Sequence, residues 1–219
     1  DGEIVYSYAR ERRVQLRYVD FPKPLVNAYL SAEDKTFWTH GGVDYTGLAG
    51  AVIDYVTKFG SGERAKGGST ITQQVAKNIL IGDEYSITRK LKEMIVARRI
   101  EGVLAKPQIL ELYLNEIPLG RQSFGVQAAA RAYFGKDVNE LALHESAFLA
   151  ILPKAPEKYG RAQNADEALE RRNYVLGQMA DNGWASEAEV AAARAQPLGI
   201  IPRRVEAYER GLIVEALAA

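Results

Sequence analysis

Three acids, a histidine, two aromatic residues and two glycines fall between Ala32 and Asp44, in the run Ala-Glu-Asp-Lys-Thr-Phe-Trp-Thr-His-Gly-Gly-Val-Asp. A carboxylate held in a fixed place can take a proton from a hydroxyl, and a neighbouring acid or imidazole can orient it. Glu33 and Asp34 stand after an apolar run and before Gly41-Gly42, where a helix gives out and a cleft can open. Solvated acids on a helix surface have the same composition, so the rest of the chain must decide between the two.

Two later stretches could act on an anion. Gly67-Gly68 leads into Ser69-Thr70, and glycines feeding hydroxyls at a helix start have the outline of an anion site. Lys90, Glu93, Ala97 and Glu101 recur at spacings of three, four and four, which puts them on one helix face. That face is either a solvated row of ion pairs or a cation and an acid held together in a cleft.

The elements that must position these residues are mostly helices. Pro24 with Leu25, Val26, Ala28, Tyr29 and Leu30 reads as a helix carrying Glu33 and Asp34 near its C-terminal end and broken by Gly41-Gly42. Asp44 caps a helix bearing Leu48, Val52, Tyr55 and Val56, with Ala49, Ala51, Ile53 and Phe59 on its other sides. A helix so apolar all round is either buried or lies against a membrane surface. Phe59 to Gly68 holds four glycines and no apolar period, the pattern of a loop and a candidate lid. Ser69 or Thr70 caps a helix with Ile71, Val75, Ala76 and Ile79 inward, and Ser86 caps the next, whose apolar stripe is Ile87, Leu91, Met94 and Ile95.

Lys106-Pro107 opens a helix with Ile109, Leu110, Tyr113 and Leu114 at core spacing, and further helices are expected over 125–134 and 139–152. Asn164 with Glu167 and Ser186 with Glu189 have capping-box spacing, with Gly183 closing the first of those helices. Residues 3–20 alternate β-branched or aromatic with polar residues and predict a short N-terminal β-ribbon. The fold class read this way is mainly α.

With 219 residues, 47% of them hydrophobic, the chain can bury a sizeable core in one domain with a small appended lobe. Zero net charge gives no argument for a nucleic-acid partner. Between Lys58 and Lys106, however, ten cations face five anions, so the middle of the chain is locally basic. The absence of cysteine removes disulfides and thiolate metal sites. No run of apolar residues is long enough to span a membrane, and no signal peptide opens the chain at Asp1-Gly2-Glu3.

Taken together, the spacings closely resemble those of glycosyltransferase family 51, the peptidoglycan glycosyltransferase domain of class A penicillin-binding proteins and their monofunctional relatives. The first family motif is matched by Glu33, Asp34, Phe37, His40, Gly42 and Asp44, and the second by Gly67-Gly68-Ser69-Thr70-Ile71-Thr72-Gln73-Gln74 with Lys77-Asn78. Arg89, Lys90, Glu93, Ala97 and Glu101 match the third, and Ile109 to Asn115 with Gly120 the fourth. Tyr133-Phe134-Gly135-Lys136 and the helix bearing Glu145 resemble the fifth.

The resemblance implies a lysozyme-like, mainly α domain with a small membrane-proximal lobe. On this reading residues 1–22 are the ribbon and linker, and 23–160 the catalytic core, with the membrane-facing lobe near 47–68. Residues 161–219 are C-terminal helices leading toward a transpeptidase domain. The membrane-facing segment corresponds to Gly47 through Gly60. The implied reaction polymerises lipid II: an acceptor 4-hydroxyl attacks the anomeric carbon of the growing glycan chain, and undecaprenyl diphosphate leaves with inversion.

Glu33 is the implied general base and Glu93 the second catalytic carboxylate. Ser69, Gln74, Lys77, Arg89, Lys90 and Arg98 are implied to hold the diphosphate, a stable anion that needs cations more than a proton. Asp34, His40 and Asn115 are implied supports. Glu93 is also the implied ligand of a divalent cation, expected to be Mg²⁺, at the diphosphate. One departure is Asp83-Glu84-Tyr85, where many relatives carry an arginine.

The implied partners are lipid II, the glycan chain, the inner-membrane surface and other cell-wall synthesis proteins, and the implied inhibitor is moenomycin. The implied location is the outer, periplasmic face of the bacterial cytoplasmic membrane. No serine here has a lysine three residues on, so the transpeptidase nucleophile motif is absent. The expectation is an excised piece of a bifunctional protein, without its membrane anchor.

Overall fold

A computed structural model describes residues 14–58, 68–78 and 87–202. Among them the architecture is helical, and the extended pairing is limited to a single bridge between Pro118 and Phe124. Of the expected β-ribbon, residues 1–13 lie outside the described residues. The part that is described forms no strand: Tyr18–Asp20 is a 3-10 turn, anchored when Glu111 accepts the Tyr18 N–H at 2.7 Å. Alternating residues made this stretch look like a strand, but a strand needs a neighbour to pair with. Here the backbone is bound by side chains of a helix instead.

Two groups of helices frame the site. In the first, α1 (Lys23–Glu33), α7 (Leu143–Ile151) and α9 (Ala165–Asp181) pack on one another, and α10 (Glu187–Arg194) closes against α7 and α9. Their shared core holds Leu25, Tyr29, Phe148, Leu149, Val175, Leu176 and Met179, so the helices after residue 160 belong to the same apolar cluster as α1. Burying each such side chain contributes roughly 1.5–3 kcal/mol relative to leaving it in water. In the second group, α3 (Ile71–Ala76) packs on α4 (Ile87–Val103) and α5 (Lys106–Glu116). Between the groups runs α6 (Val126–Phe134), touching α5 and α7, and a short α8 (Pro156–Tyr159) packs on α9.

Local sequence signals explain most boundaries. Thr70 is the N-cap of α3, with a reciprocal capping box to Gln73, and Ser186 with Glu189 caps α10 in the same way. Asp44 accepts the Thr46 and Gly47 N–H groups and so caps α2 (Tyr45–Thr57) as expected. Asn164 departs from its expected box: it makes no side-chain cap bond and instead donates to Lys158 O at 2.9 Å. Gly183, with φ +69°, ends α9. Arg172 is fully buried and donates to the carbonyls of Arg194, Gln196 and Pro197, which supplies the end of α10 with the partners it lacks.

The largest surprise is the roll of α4. Two residues of its apolar stripe are turned out, with Leu91 56% and Ile95 54% exposed, and Met94 is half-buried, whereas Glu93 and Ala97 are buried. Ser86, Asp83-Glu84-Tyr85, Ile79 and the glycine-rich run 59–67, which carries most of the candidate lid, lie outside the described residues. α2 is also apolar outward, with Ile53 64% exposed, and no described helix is long and apolar enough to cross a membrane.

Candidate active site

The helix α1 stops at Glu33, with Asp34 as its C-cap, well before the expected break at Gly41-Gly42. Residues 35–40 then make a compact turn, and Gly42 comes so close to α4 that a Cβ there would lie 2.7 Å from Ala97 O. Gly42 also has φ +94°, so both its backbone and its surroundings require glycine.

Glu33 sits at one end of a cleft of about 420 Å³. Ser69, Gln73, Gln74, Lys77, Asn78, Glu93, Lys154 and Arg171 share the lining. Gln74 Nε2 donates to Glu33 Oε2 at 2.7 Å, and Tyr113 OH donates to Gln74 Oε1 at 3.1 Å. The second bond fixes the amide: with its oxygen engaged by a phenol, the NH₂ must face the carboxylate. Burial pushes the Glu33 carboxyl up from its ordinary 4.5, opposed by Gln74 and by the charges of Arg171 and Lys154. Tyr29 and Tyr113, edge to face at 6.1 Å, are themselves pushed well above 10 by burial and by the Glu33 charge.

Asp34 does not face the cleft. Its Oδ2 accepts the Ile71 N–H at 2.9 Å and meets His40 Nε2 at 2.8 Å. Gly42 N–H donates to His40 Nδ1 at 3.1 Å, so the imidazole proton is on Nε2 and goes to Asp34. Thr70 completes the tie by donating to Gly42 O at 2.7 Å. The expected supporting roles of Asp34 and His40 thus have a geometric content: they hold the start of α3 against the end of α1.

On the other side of the cleft Glu93, 4% exposed, is held by two cations. Arg89 Nε lies 3.2 Å from Oε1 and Lys90 Nζ 3.0 Å from Oε2, and Lys90 also donates to Ser69 Oγ at 2.6 Å. On this face of α4 Glu93 lines the cleft, Lys90 reaches Ser69 of the same lining, and Ala97 packs against Gly42. Both Glu93 oxygens are engaged by cations, and no group of three or more His, Asp or Glu among the described residues could hold a metal. The donor set does not fit a resident metal. Glu93 as arranged is an anchor for Arg89 and Lys90.

Two expected site residues stand elsewhere. Arg98 is exposed and donates to Tyr45 OH on α2 at 3.1 Å. Asn115 is 3% exposed and exchanges two bonds with Leu16, donating to its carbonyl at 2.7 Å and accepting its N–H at 2.9 Å. It fastens the N-terminal segment to α5. Conversely, Lys154 and Arg171 line the cleft without having been anticipated. Arg171 Nε is buried and has no hydrogen-bond partner among the described residues, while the residue itself lines the cleft.

A family model described as transglycosylase matches residues 1–180. The chain belongs to this transglycosylase family. It is 41% identical over 206 residues to penicillin-binding protein 1A of Rickettsia prowazekii, covering 94% of this chain and 26% of that one. It is 42% identical over 198 residues to penicillin-binding protein 1A of Vibrio cholerae, covering 90% and 24%. The crystal structure of penicillin-binding protein 1A from Haemophilus influenzae superposes with a TM-score of 0.52 at 27% identity, over 95% of this chain and 21% of that one. The chain spans about a quarter of the length of the curated relatives it matches. The transglycosylase domain has the lysozyme-like helical fold implied by the motifs.

Proposed function

We propose that the chain is a peptidoglycan glycosyltransferase that polymerises lipid II, with Glu33 as general base. The observation that carries the reading is a carboxylate with a raised pKa, oriented by Gln74, in a cleft whose lining also presents Lys77, Lys154 and Arg171. A desolvated carboxylate is a stronger base at neutral pH than a solvated one. Glu33 takes the proton of the acceptor 4-hydroxyl as its oxygen bonds to the anomeric carbon. The C–O bond to the diphosphate breaks on the opposite face, and undecaprenyl diphosphate leaves with its electron pair.

The leaving group is an anion at neutral pH, so the second half of the site needs positive charge and hydrogen-bond donors. Lys77, Lys90, Ser69 and the cation of Arg171 supply them. Arg89 contributes by holding Glu93. A hydrolase of neutral glycan would need a second carboxyl able to give a proton, and Glu93, bound by two cations, is badly placed for that. A divalent cation would arrive on the substrate's diphosphate.

The substrate's lipid places the reaction at a membrane surface, on the outer face of the cytoplasmic membrane. Exposed Tyr45 and Ile53 on α2 and Leu91 and Ile95 on α4, with the two helices joined by the Arg98 to Tyr45 bond, offer an apolar face for it. The whole protein is proposed to carry a transpeptidase domain, as the family resemblance implies, and to work with other cell-wall synthesis proteins; the relatives' greater length leaves room for such a domain. Incubation with labelled lipid II tests the reading: growing polymer and released undecaprenyl diphosphate support it, and shortening of pre-made glycan without polymerisation overturns it.

A further inference from the structure

Behind the cleft, on the side of Asp34 away from substrate, lies a cation that the proposed chemistry does not use. Lys106 is the first residue of α5. A cation there opposes the helix dipole, which favours negative charge at an N-terminus. A residue that breaks a local rule is expected to serve something else. The Lys106 ammonium donates to His40 O at 2.7 Å and to Glu101 Oε1 at 2.7 Å, and it stands 4.3 Å from the centre of the Phe37 ring. Glu101 Oε1 also accepts the Thr72 hydroxyl at 2.7 Å.

These bonds join four elements at one point: the turn holding His40, α3 with Thr72, α4 with Glu101 and α5 with Lys106. Through His40, Lys106 holds the turn that follows Glu33. Through Glu101 and Thr72, it holds α3 from the opposite side. Within the same cluster, Asp34 accepts the Ile71 N–H. From Ile71 it is one turn along α3 to Gln74, the residue that orients the Glu33 carboxylate. The backbone of Glu33 is set by Asp34 next to it, and its side chain by Gln74. Lys106 is bonded to the turn on one side of this pair and, through Glu101, to the helix on the other.

We propose that Lys106 is a positioning residue for the general base: it locks the turn bearing His40 to the start of α3, and so fixes the distance and direction of Gln74 relative to Glu33. This rests on the glycosyl-transfer reading. An ammonium suits the task because it makes three directed bonds from one compact centre, and the aromatic ring of Phe37 stabilises its charge where water is largely excluded.

The test compares the whole chain with its Lys106→Met, Lys106→Arg and Gln74→Ala variants by steady-state polymerisation of labelled lipid II, thermal melting, and amide exchange at Ile71 and Gly42. Lys106→Met is expected to lower kcat on the order of ten- to hundredfold, as small misplacements of a catalytic group do. KM should stay within about threefold by the same argument, since no substrate contact is removed. Exchange at Ile71 should quicken, melting should change little, and Lys106→Arg should recover most of the rate.

In a Gln74→Ala background, Lys106→Met should add little further loss, because both act on one geometry. Unchanged kcat, a rise in KM alone, full additivity with Gln74→Ala, or a Lys106→Met chain that fails to fold would each overturn the proposal, the last by making Lys106 a purely structural residue. Failure of the unaltered chain to polymerise lipid II would count against the transfer reading instead. The exchange of Ile71 would still decide whether Lys106 fixes α3.

Discussion

Gln74 Nε2 lies 2.7 Å from Glu33 Oε2, and the amide cannot turn away because Tyr113 OH holds its oxygen at 3.1 Å. The proposed base is thus aimed by a residue from a different helix, which is aimed in turn by a buried phenol on a third. Tyr113→Phe removes that hydroxyl with little loss of volume. The amide of Gln74 is then able to rotate, and kcat should fall by roughly three- to tenfold, about the worth of one neutral hydrogen bond, while melting moves by a few degrees at most. Steady-state kinetics with lipid II checks this.

The raised pKa of Glu33 has a sign that can be read in stability. Its folded value lies above the ordinary 4.5, so the folded chain binds this proton more tightly than the unfolded one. That stabilisation is fully present below the unfolded value and is lost as pH rises through the folded one. At neutral pH the ionised, desolvated group opposes folding, and Glu33→Gln should melt higher than the unaltered chain. The gap should close in acid. A melting series across pH measures it.

The same shift sets the acid limb of the rate. A base must be ionised to work, so kcat/KM should fall with decreasing pH around a value above 4.5, the ordinary glutamate figure. A limb at or below that figure would mean that Glu33 is not the group titrating.

Asp44 behaves in the opposite sense. The Gly47 N–H and the Thr46 hydroxyl hold its carboxyl down to about 2. Its contribution is present above the unfolded carboxylate value and is lost as pH falls through the folded one. Asp44→Ala should destabilise the start of α2 by about 1 kcal/mol, the usual worth of an N-cap. The effect should be seen at neutral pH and vanish in strong acid, in melts of the two chains.

Arg171 and Lys154 line the cleft from positions outside the residues of the five motifs. Arg171→Ala should raise KM for lipid II more than it lowers kcat, as expected for loss of a charged contact made in both ground and transition states. Equal parameters for variant and unaltered chain would remove Arg171 from the substrate's path.

Much of this site was legible in the sequence. The apolar run that carries Glu33 at its end, a hydroxyl cap at Ser69 or Thr70 and the pairing of Lys90 with Glu93 on one face each follow from local rules; the structure chooses Thr70 as the cap and ends the helix at Glu33, short of Gly41-Gly42. The orientation of α4 was not legible. Its sequence carries an apolar stripe and a charged face, and periodicity cannot say which is turned inward when the charged face finds partners in Ser69, Arg89 and Glu93. Asn115 and Arg98 could not be separated from cleft residues for a similar reason: their partners, Leu16 and Tyr45, are distant in sequence. Lys154 and Arg171 gave little signal beyond being cations. The adjacent Arg172 is buried in a structural role, so the pair Arg171-Arg172 divides its labour only once the helix is packed.

The central claim is that Glu33 takes the proton of the acceptor hydroxyl. It is tested most directly by following labelled lipid II with the unaltered chain and with Glu33→Gln, measuring polymer and released undecaprenyl diphosphate alongside lipid II binding. The account predicts a loss of at least about a hundredfold in turnover, the contribution of a general base, with binding retained. Turnover by Glu33→Gln at the rate of the unaltered chain would contradict it.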